Sequence, residues 1–457
     1  MRLLLVLLAV GLLAGCTAAP EPGLTWEPCA GRPDSRCADL RVPLDYADPD
    51  GPTTTMRVSL RPATGERRGV LLTNPGGPGA QALHNTLGVD ALTGGALAPH
   101  YDLVGLDPRG VGESAPISCG LTPEEVGRAG VDDAPSPDAE SLAASTARAC
   151  MTNAPELVHT TTPNLARDMD RLREALGVAR ISYYGTSGGT TLGTTYASLF
   201  PDRVDRMVLD SVDDDTVGRQ AAFRAADRAI DARFAQLPLP GPDPRARYLA
   251  LLARLDREVV LFDGVRATSD ALRSLLAAAL RSDAAVPLLV DAVRHLDGLP
   301  GAPTEAELAQ RLGPEPAPDP GAERVASAFL GITCADPDWS HDPADYRAAV
   351  AADAAAYPVS GGARAVITAC AYWTGPPTPR VPLTDSGPRN ILILQNEVDP
   401  ATPLDGARAT RAALGDRAVM ITTGPGGHGV LGHSPCATDT AVAWLVRGEL
   451  PPADRRC

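Results

Sequence analysis

Six short apolar runs lie along the chain, and hydrophobic residues follow one another in them without regular alternation. Runs of this length are typical of strands that are covered on both faces of a sheet. Segments with helical periodicity separate them, such as the stripe of Leu165, Met169, Leu172 and Leu176 behind a predicted N-cap at Asn164. The alternation of strand and helix predicts a mostly parallel sheet with flanking helices. The predicted strands are 70–74, 101–107, 181–185, 206–211, 390–395 and 418–423.

This alternation stops after Asp215 and resumes near Asn390. The segment between them is rich in Ala, Leu and Arg, and proline-rich stretches interrupt its helical patterns. These features predict a helical cap inserted between two parts of one sheet. The alternative is an independent helical domain, but the return of strands after the segment favours insertion. The predicted helices lie at 219–237, 248–255, 271–280 and 325–332, with breaks at 237–244 and 313–321.

Domain boundaries follow from the same patterns. We place the first part of the sheet domain at 53–215, the cap at 216–388 and the second part of the sheet domain at 389–457. Residues 17–52 are rich in Pro, Asp and Gly, and this composition predicts a tether followed by an irregular edge that is clipped by a disulfide. With Cys16, for which the lipid is predicted below, they form the lipidated tether and N-terminal extension at 16–52.

The first fifteen residues have the charged start, the short apolar run and the small residues of a secretory signal peptide. The apolar run is too short to span a membrane. The Leu-Ala-Gly-Cys ending at Cys16 resembles a bacterial lipobox, which implies cleavage before Cys16, lipid on its thiol and anchoring at the outer face of the cell membrane. A plain secretory signal is the alternative, because Arg2 alone makes a short charged region. The lipid on Cys16 is the only membrane contact that we expect.

The composition removes several classes of function. All 41 basic residues are Arg, and a chain without Lys cannot use a Schiff base, a P-loop lysine or the lysine of a kinase strand. The formal net charge is -15. Because phosphate binding needs a basic face, this charge argues against nucleic acid as a partner.

The cysteine count suits an oxidising compartment. Nine cysteines become eight once Cys16 is assigned to lipid, and an even number can form a complete set of disulfides. None of them has the C-x-x-C spacing of a zinc site, so metal binding is the weaker interpretation and we expect neither a metal nor a cofactor. The simplest hypothesis pairs neighbours in sequence, namely Cys29 with Cys37, Cys119 with Cys150, Cys334 with Cys370 and Cys436 with Cys457.

A G-x-S-x-G pattern centred on Ser187 carries the clearest chemical signal. It follows a predicted strand and precedes a helical pattern, which is the context of a nucleophile elbow. Gly185 and Gly189 would give room for a turn so tight that the serine hydroxyl is exposed at its tip. The alternative is an ordinary turn from strand to helix in a glycine-rich protein.

A nucleophilic serine needs a base within hydrogen-bond reach. His428 follows the last predicted strand in the sequence G-P-G-G-H-G, where flanking glycines leave the side chain free to point inward. His433, five residues later, is the main alternative and lies in a less constrained loop. We therefore favour His428 as the general base.

The base in turn needs an acid that orients it. Asp399 follows the preceding predicted strand, so that its carboxylate and His428 would meet at the carboxyl edge of a parallel sheet. The rigid Asp-Pro turn favours Asp399 over the alternatives Glu397 and Asp210. The order Ser, Asp, His along the chain is that of α/β-hydrolases.

Acyl transfer also needs donors for the developing oxyanion. The amide of Gly188, directly after the nucleophile, is the first candidate. The second is the amide of Gly77, in the N-P-G-G-P-G loop at 74–79 that follows an early predicted strand. The nearby D-P-R-G-V-G-E-S segment contains Arg109, to which we assign a structural role.

Taken together, these motifs resemble the secreted tripeptidyl aminopeptidases of actinobacteria, which are serine peptidases related to the proline iminopeptidases. The likeness rests on N-P-G-G-P-G, D-P-R-G-V-G-E-S, Y-Y-G-T-S-G-G, L-F-P-D-R-V-D-R-M-V-L-D, I-T-C-A-D, Q-N-E-V-D-P-A-T-P and G-G-H-G-V with the closing P-C. It implies an α/β-hydrolase fold with an inserted helical cap. Ser187, Asp399 and His428 match the family's nucleophile, acid and base. Gly188 differs from many relatives, which carry an aromatic residue there.

The resemblance also implies an activity, namely release of short peptides, tripeptides in the named family, from substrates with free N-termini. Such an exopeptidase must bind the substrate's ammonium group, and Asp336 and Asp213 are our candidates for this contact. Two further hypotheses stay open. The same machinery cleaves carboxylic esters, and a non-catalytic lipoprotein could bind peptides in an inherited cleft.

Overall fold

A computed structural model of the chain describes residues 23–130, 136, 138–262, 265–312, 319, 321–376, 378–424 and 426–457, so the predicted signal peptide and Cys16 lie outside it. No helix in these ranges is both long and apolar enough to cross a membrane. The described strands are β1 (Glu27–Cys29), β2 (Arg32–Pro43), β3 (Thr53–Arg61), β4 (Gly69–Asn74), β5 (Tyr101–Leu106), β6 (Ile181–Thr186), β7 (Val204–Asp210), β8 (Val260–Phe262), β9 (Val265–Ala267), β10 (Ile391–Asn396), β11 (Ala418–Thr423) and β12 (Arg455–Arg456). The described α-helices are α1 (Asn85–Leu92), α2 (Pro123–Gly127), α3 (Ala139–Asn153), α4 (Thr162–Ala175), α5 (Gly188–Leu199), α6 (Arg219–Phe234), α7 (Pro244–Arg257), α8 (Ser269–Ala279), α9 (Val286–Leu296), α10 (Glu305–Leu312), α11 (Ala322–Ala335), α12 (Pro343–Ala356), α13 (Leu404–Ala413) and α14 (Pro435–Val442).

Ten strands form one sheet in the order β1-β2-β3-β5-β4-β6-β7-β10-β11-β12. Neighbours from β5 to β12 pair in parallel, whereas β1, β2 and β3 are antiparallel to their neighbours. Successive residues of β10 enter different apolar clusters, because Ile391 and Ile393 pack on one face and Leu392 and Leu394 on the other. Both faces are therefore covered, which explains the unbroken apolar runs. The prediction of an α/β-hydrolase fold is confirmed.

The cap is an insertion between two adjacent strands. β7 and β10 pair directly, with Met207 opposite Ile391, although the cap helices separate them in sequence. The cap has its own apolar core, in which Leu251, Leu276 and Leu289 are almost fully buried. It also contains α9, α10, α12 and the β8–β9 hairpin, which the sequence analysis did not predict. The domain boundaries at residues 215 and 388 stay predictions.

The expectation of an irregular N-terminal edge is wrong. β2 is a twelve-residue strand that pairs with β3 along most of its length. Leu40 and Val42 are buried while Asp39 and Arg41 are exposed. Because only one face of this antiparallel strand is covered, polar residues alternate with apolar ones, and the apolar run that marks the central strands is absent.

Arg109 has the structural role that the sequence analysis assigned to it. Its guanidinium binds both carboxylate oxygens of the buried Asp168 in α4, at 2.6 and 2.7 Å. It also donates to the carbonyls of Pro43 and Leu44 at the end of β2. Arg109 therefore joins the N-terminal strand to the helix layer.

The predicted N-cap at Asn164 is wrong by one turn. α4 begins at Thr162, and the hydroxyl of Thr161 accepts a hydrogen bond from the Asn164 amide. Thr161 has the extended conformation of a capping residue, and Pro163 occupies the first turn, where a missing amide hydrogen costs nothing.

All four predicted disulfides are confirmed. They join Cys29 to Cys37, Cys119 to Cys150, Cys334 to Cys370 and Cys436 to Cys457. The first clips β1 to β2, and the last ties the residue after β12 to α14. The cysteines therefore pair with neighbours in sequence.

Candidate active site

Ser187 stands at the turn between β6 and α5. Its φ of 55° and ψ of -129° are strained for a residue with a side chain. A Cβ atom at Gly189 would lie 2.9 Å from the Oδ1 atom of Asn74, and one at Gly185 would lie 2.7 Å from the carbonyl carbon of Gly189. Only glycine fits at both positions. The G-x-S-x-G segment therefore forms the tight turn that its pattern predicts.

His428 and Asp399 are in direct contact. The Nδ1 atom of His428 lies 3.0 and 2.9 Å from the two carboxylate oxygens of Asp399. Asp399 is fully buried. Its oxygens also accept hydrogen bonds from the amides of Ala401 and Thr402 and from the Thr402 hydroxyl, at 2.8 to 3.0 Å. A carboxylate held by several donors fixes the imidazole ring and leaves its Nε2 atom for other partners.

The two groups shift each other's pKa. Burial opposes ionisation of Asp399, but the attraction of His428 and the hydrogen bonds to the carboxylate hold its pKa below the ordinary value. Burial also disfavours the imidazolium form of His428, yet Asp399 raises the pKa of His428 above the ordinary value. Arg281 lowers this pKa and Asp210 raises it, both more weakly. The arrangement favours an ionised Asp399 beside a histidine that binds protons readily, as a general base requires.

The alternative acids and base lie elsewhere. Glu397 is partly exposed and pairs with Arg456 at 2.8 Å. Asp210 is buried, but its carboxylate accepts hydrogen bonds from backbone amides rather than from an imidazole. His433 is exposed. Of the three candidate carboxylates, only Asp399 is hydrogen-bonded to His428.

Asp210 connects the Ser187 turn to the histidine loop, which we define as residues 426–431. Its main-chain carbonyl accepts the amide of Ser187 at 3.0 Å, and its carboxylate accepts the two amides that follow Gly429, at 2.9 Å each. The hydroxyl of Ser211 accepts the Gly429 amide at 2.8 Å. Asp210 is therefore hydrogen-bonded to both the Ser187 turn and the histidine loop, and Ser211 adds a second contact to that loop. The Ser187 hydroxyl is not hydrogen-bonded to any described residue. The hydrogen bond between a nucleophile and its base often forms fully only when substrate binds.

The loop after β4 lies against the start of α5. A Cβ atom at Gly76 would be 2.9 Å from the amide nitrogen of Gly188, and one at Gly188 would be 3.2 Å from the nitrogen of Pro78. The amides of Gly77 and Gly188 donate to no acceptor in the described part of the chain. Two backbone donors beside Ser187 are what an oxyanion hole needs.

Arg219 brings together both candidates for binding the substrate amine. Its guanidinium pairs with Asp213 and with Asp336, each at 3.1 Å. Asp215 lies next to this cluster and accepts a hydrogen bond from the Thr191 hydroxyl of α5 at 2.8 Å. Burial, together with the charge of Asp213, raises the pKa of Asp215 to about 6. Three carboxylates thus surround one guanidinium beside the helix that begins at the Ser187 turn.

The sequence analysis missed two polar residues at the site. The Thr402 hydroxyl lies 3.0 Å from Asp399 Oδ2 and 3.3 Å from His428 Nδ1. The amide group of Asn396 donates to the carbonyls on either side of His428, at 2.7 and 3.0 Å. Their position at and just beyond the carboxyl end of β10 was the available signal, because sites in parallel sheets collect there.

Comparison with known proteins places the chain in a family. The family model described as TAP-like protein matches residues 357–457. The tripeptidyl aminopeptidase of Streptomyces lividans is 32% identical, over 98% of this chain and 89% of the relative. The serine protease Hip1 of Mycobacterium tuberculosis is 30% identical over 96% and 92%, and carboxylesterase B of the same organism is 31% identical over 99% and 97%. The chain belongs to the tripeptidyl aminopeptidase family of serine α/β-hydrolases.

Proposed function

We propose that the protein is a serine exopeptidase that releases short peptides, tripeptides above all, from free N-termini through an acyl-enzyme intermediate. One observation carries the proposal. A buried carboxylate orients His428, and Asp210 is hydrogen-bonded both to the histidine loop and to the amide of the strained Ser187. Family membership supports the same activity, because relatives of similar length are a tripeptidyl aminopeptidase and a serine protease.

In acylation, the Oγ atom of Ser187 attacks the scissile carbonyl carbon while Nε2 of His428 takes its proton. The carbonyl oxygen becomes an oxyanion, which the amides of Gly77 and Gly188 stabilise. Asp399 balances the charge of the imidazolium. The carbon–nitrogen bond then breaks, and His428 gives its proton to the leaving amine.

In deacylation, a water molecule replaces the leaving amine. His428 takes one proton from the water, and the resulting hydroxide attacks the acyl carbon. The ester bond to Ser187 breaks, and its oxygen recovers the proton from His428. The released short peptide carries a new carboxylate, and the enzyme returns to its initial state.

We propose the Arg219 cluster as the site that binds the substrate's ammonium group. Asp213, Asp215 and Asp336 carry three carboxylates against the single guanidinium of Arg219. The raised pKa of Asp215 reflects this excess of negative charge as well as burial. A substrate ammonium would compensate for this negative charge. Its contact with the cluster would then fix how many residues lie between the N-terminus and the scissile bond.

A panel of chromogenic substrates tests the proposed activity. We expect tripeptidyl anilides with a free amine to be cleaved with a kcat/KM at least about 100-fold above their N-acetylated forms, because desolvated charge pairs are worth roughly 3 kcal/mol. Aminoacyl anilides and p-nitrophenyl esters of fatty acids complete the panel. Release of p-nitroaniline or p-nitrophenol is measured.

An ester hydrolase is the second candidate function, and the relatedness to carboxylesterase B supports it. Turnover of the esters with no cleavage of any peptide anilide would favour this candidate and refute the peptidase proposal. Equal cleavage rates for free and N-acetylated tripeptidyl anilides would refute the proposed amine site but not the proposed peptidase activity.

The activity should depend on pH through His428. The base must be neutral, and Asp399 raises its pKa above the ordinary histidine value of about 6.5. We therefore expect kcat/KM to fall as pH drops through an apparent pKa above about 6.5. A pH series on a tripeptidyl anilide measures this. An acid limb below about pH 5.5 would contradict the assignment, since the surroundings of His428 raise its pKa rather than lower it.

The protein is proposed to act outside the cytoplasm. Four disulfides require an oxidising compartment to form and persist. The lipobox-like sequence at Cys16 further suggests attachment to the outer face of the cell membrane by a lipid. Metabolic labelling with an alkyne fatty acid, compared between the wild type and Cys16→Ser, tests the anchor.

A further inference from the structure

The cap touches the histidine loop through a main-chain hydrogen bond. The carbonyl of Arg281, in the turn that follows α8, accepts the amide of His428 at 2.7 Å. The partners belong to different parts of the fold, because α8 lies in the cap and His428 follows β11 of the sheet. The residue proposed as general base is thus held by the cap through its own backbone.

The contact leaves no room for a side chain. A Cβ atom at Gly427 would overlap the Arg281 carbonyl and would lie 2.9 Å from the amide nitrogen of Ser282. By contrast, a Cβ atom at Gly424, at the start of the same connection, would have nothing within 4 Å. Glycine at 427 is therefore required by the approach of the cap.

The turn that supplies the carbonyl is built by the cap. Leu280 is fully buried in the cap core, and its amide donates to the carbonyl of Leu276 at 2.9 Å. The amide of Ser282 donates to the carbonyl of Ala279 at 3.1 Å. We call residues 280–282 the α8 turn. Its position follows that of the cap, so a shift of the cap carries the Arg281 carbonyl with it.

The sheet holds the other side of the histidine loop. Ser211 accepts the Gly429 amide, and Asn396 donates to the carbonyls of Gly427 and Gly429. These contacts fix the loop around His428, whereas the amide of His428 itself has the Arg281 carbonyl as its one acceptor among the described residues. Without the cap, this amide would lose its protein acceptor.

We propose that the Arg281 carbonyl is a positioning group, through which the docked cap sets the orientation of His428. The inference rests on the proposed function, since His428 is the general base there. When the α8 turn moves away, the His428 backbone loses this restraint and can rotate, which changes the position of Nε2 relative to Ser187. Displacement of a reacting group by about 1 Å costs on the order of 100-fold in rate. Cap docking would therefore complete the catalytic centre.

Gly427→Ala tests the proposal, with Gly424→Ala as its matched control. The new methyl group should displace the α8 turn, and we expect kcat on a tripeptidyl anilide to fall about 100-fold with KM changed less than about threefold. The control should stay within about twofold of the wild type. Thermal unfolding of both variants shows that each is folded. In proton NMR, we expect the low-field signal of the His428 Nδ1 proton to shift or broaden only in Gly427→Ala.

Arg281→Ala separates the carbonyl from the side chain. The carbonyl stays in this variant, but the guanidinium that lowers the pKa of His428 is lost, while Asp399 and Asp210 still face the imidazole. We expect the acid limb of kcat/KM to move to higher pH. We also expect a much smaller loss of kcat at the plateau than in Gly427→Ala, because the positioning contact persists.

Two outcomes would overturn the inference. The first is a folded Gly427→Ala variant with wild-type kcat and an unchanged Nδ1 signal. The second is a loss of kcat in Arg281→Ala as large as in Gly427→Ala, which would assign the effect to the side chain. A wild-type protein without hydrolase activity would refute the proposed function instead, and the NMR comparison would still decide whether the α8 turn positions His428.

Discussion

Replacing Ser187 with alanine is expected to lower kcat on a tripeptidyl anilide by about 10⁴ to 10⁶-fold, because it removes the hydroxyl that we propose forms the acyl-enzyme. Small residues already surround the turn, so the loss of one hydroxyl should not disturb the fold. Steady-state turnover and covalent labelling by a fluorophosphonate probe measure the effect. Labelling should disappear in the variant.

Ser198→Ala is the matched control for this substitution. Ser198 lies on the same helix, α5, and its buried hydroxyl has no hydrogen-bond partner among the described residues. We expect turnover and labelling within about twofold of the wild type. Labelling that persists in Ser187→Ala would assign the nucleophile to another residue. A wild-type protein that takes up no label would instead support a non-catalytic peptide-binding protein.

Replacing Asp399 with asparagine is expected to lower kcat by about 10⁴-fold. The amide has no charge to balance the imidazolium form of His428. Its NH₂ group would also face donors, because the amides of Ala401 and Thr402 and the Thr402 hydroxyl all point at the carboxylate. The pH dependence of kcat/KM should change as well, since Asp399 no longer raises the pKa of His428.

Glu397→Gln is the control for the Asp399 substitution. Glu397 lies two residues earlier, is partly exposed and pairs with Arg456. Because exposed ion pairs contribute little, we expect kcat within about twofold of the wild type. A large loss in Glu397→Gln together with a small loss in Asp399→Asn would exchange the roles that we propose for the two carboxylates.

The central sheet could be predicted because its signal is local. Residues of β10 alternate between two apolar clusters, so every position is buried and the run is unbroken. β2 carried no such signal, because its covered face alternates with a polar one and proline, aspartate and glycine surround it. This N-terminal strand is therefore identified only by its pairing with β3 in the structure.

The site, like the sheet, was predictable where its signal is local. Gly185 and Gly189 mark the turn at Ser187, because the crowding that excludes a Cβ atom arises within a few residues and the adjoining loop. Strand position alone could not separate Asp210, Glu397 and Asp399, since each lies at or just beyond the carboxyl end of a strand. Thr402 and Asn396 were not predicted, because a single hydroxyl or amide at or after the end of a strand does not form a recognisable sequence pattern.

The amino-acid sequence by itself determined the type of sheet, the position of the strained serine and the disulfide pairing between neighbours. Each depends on burial periodicity, on backbone freedom at glycine or on short separation along the chain. The tertiary structure decided what depends on distant partners. Gly429 binds Ser211, 218 residues away, and the His428 amide meets the carbonyl of Arg281 in the cap. Such contacts arise only when the packed sheet and cap bring remote backbone groups within hydrogen-bond distance, and no local pattern encodes them.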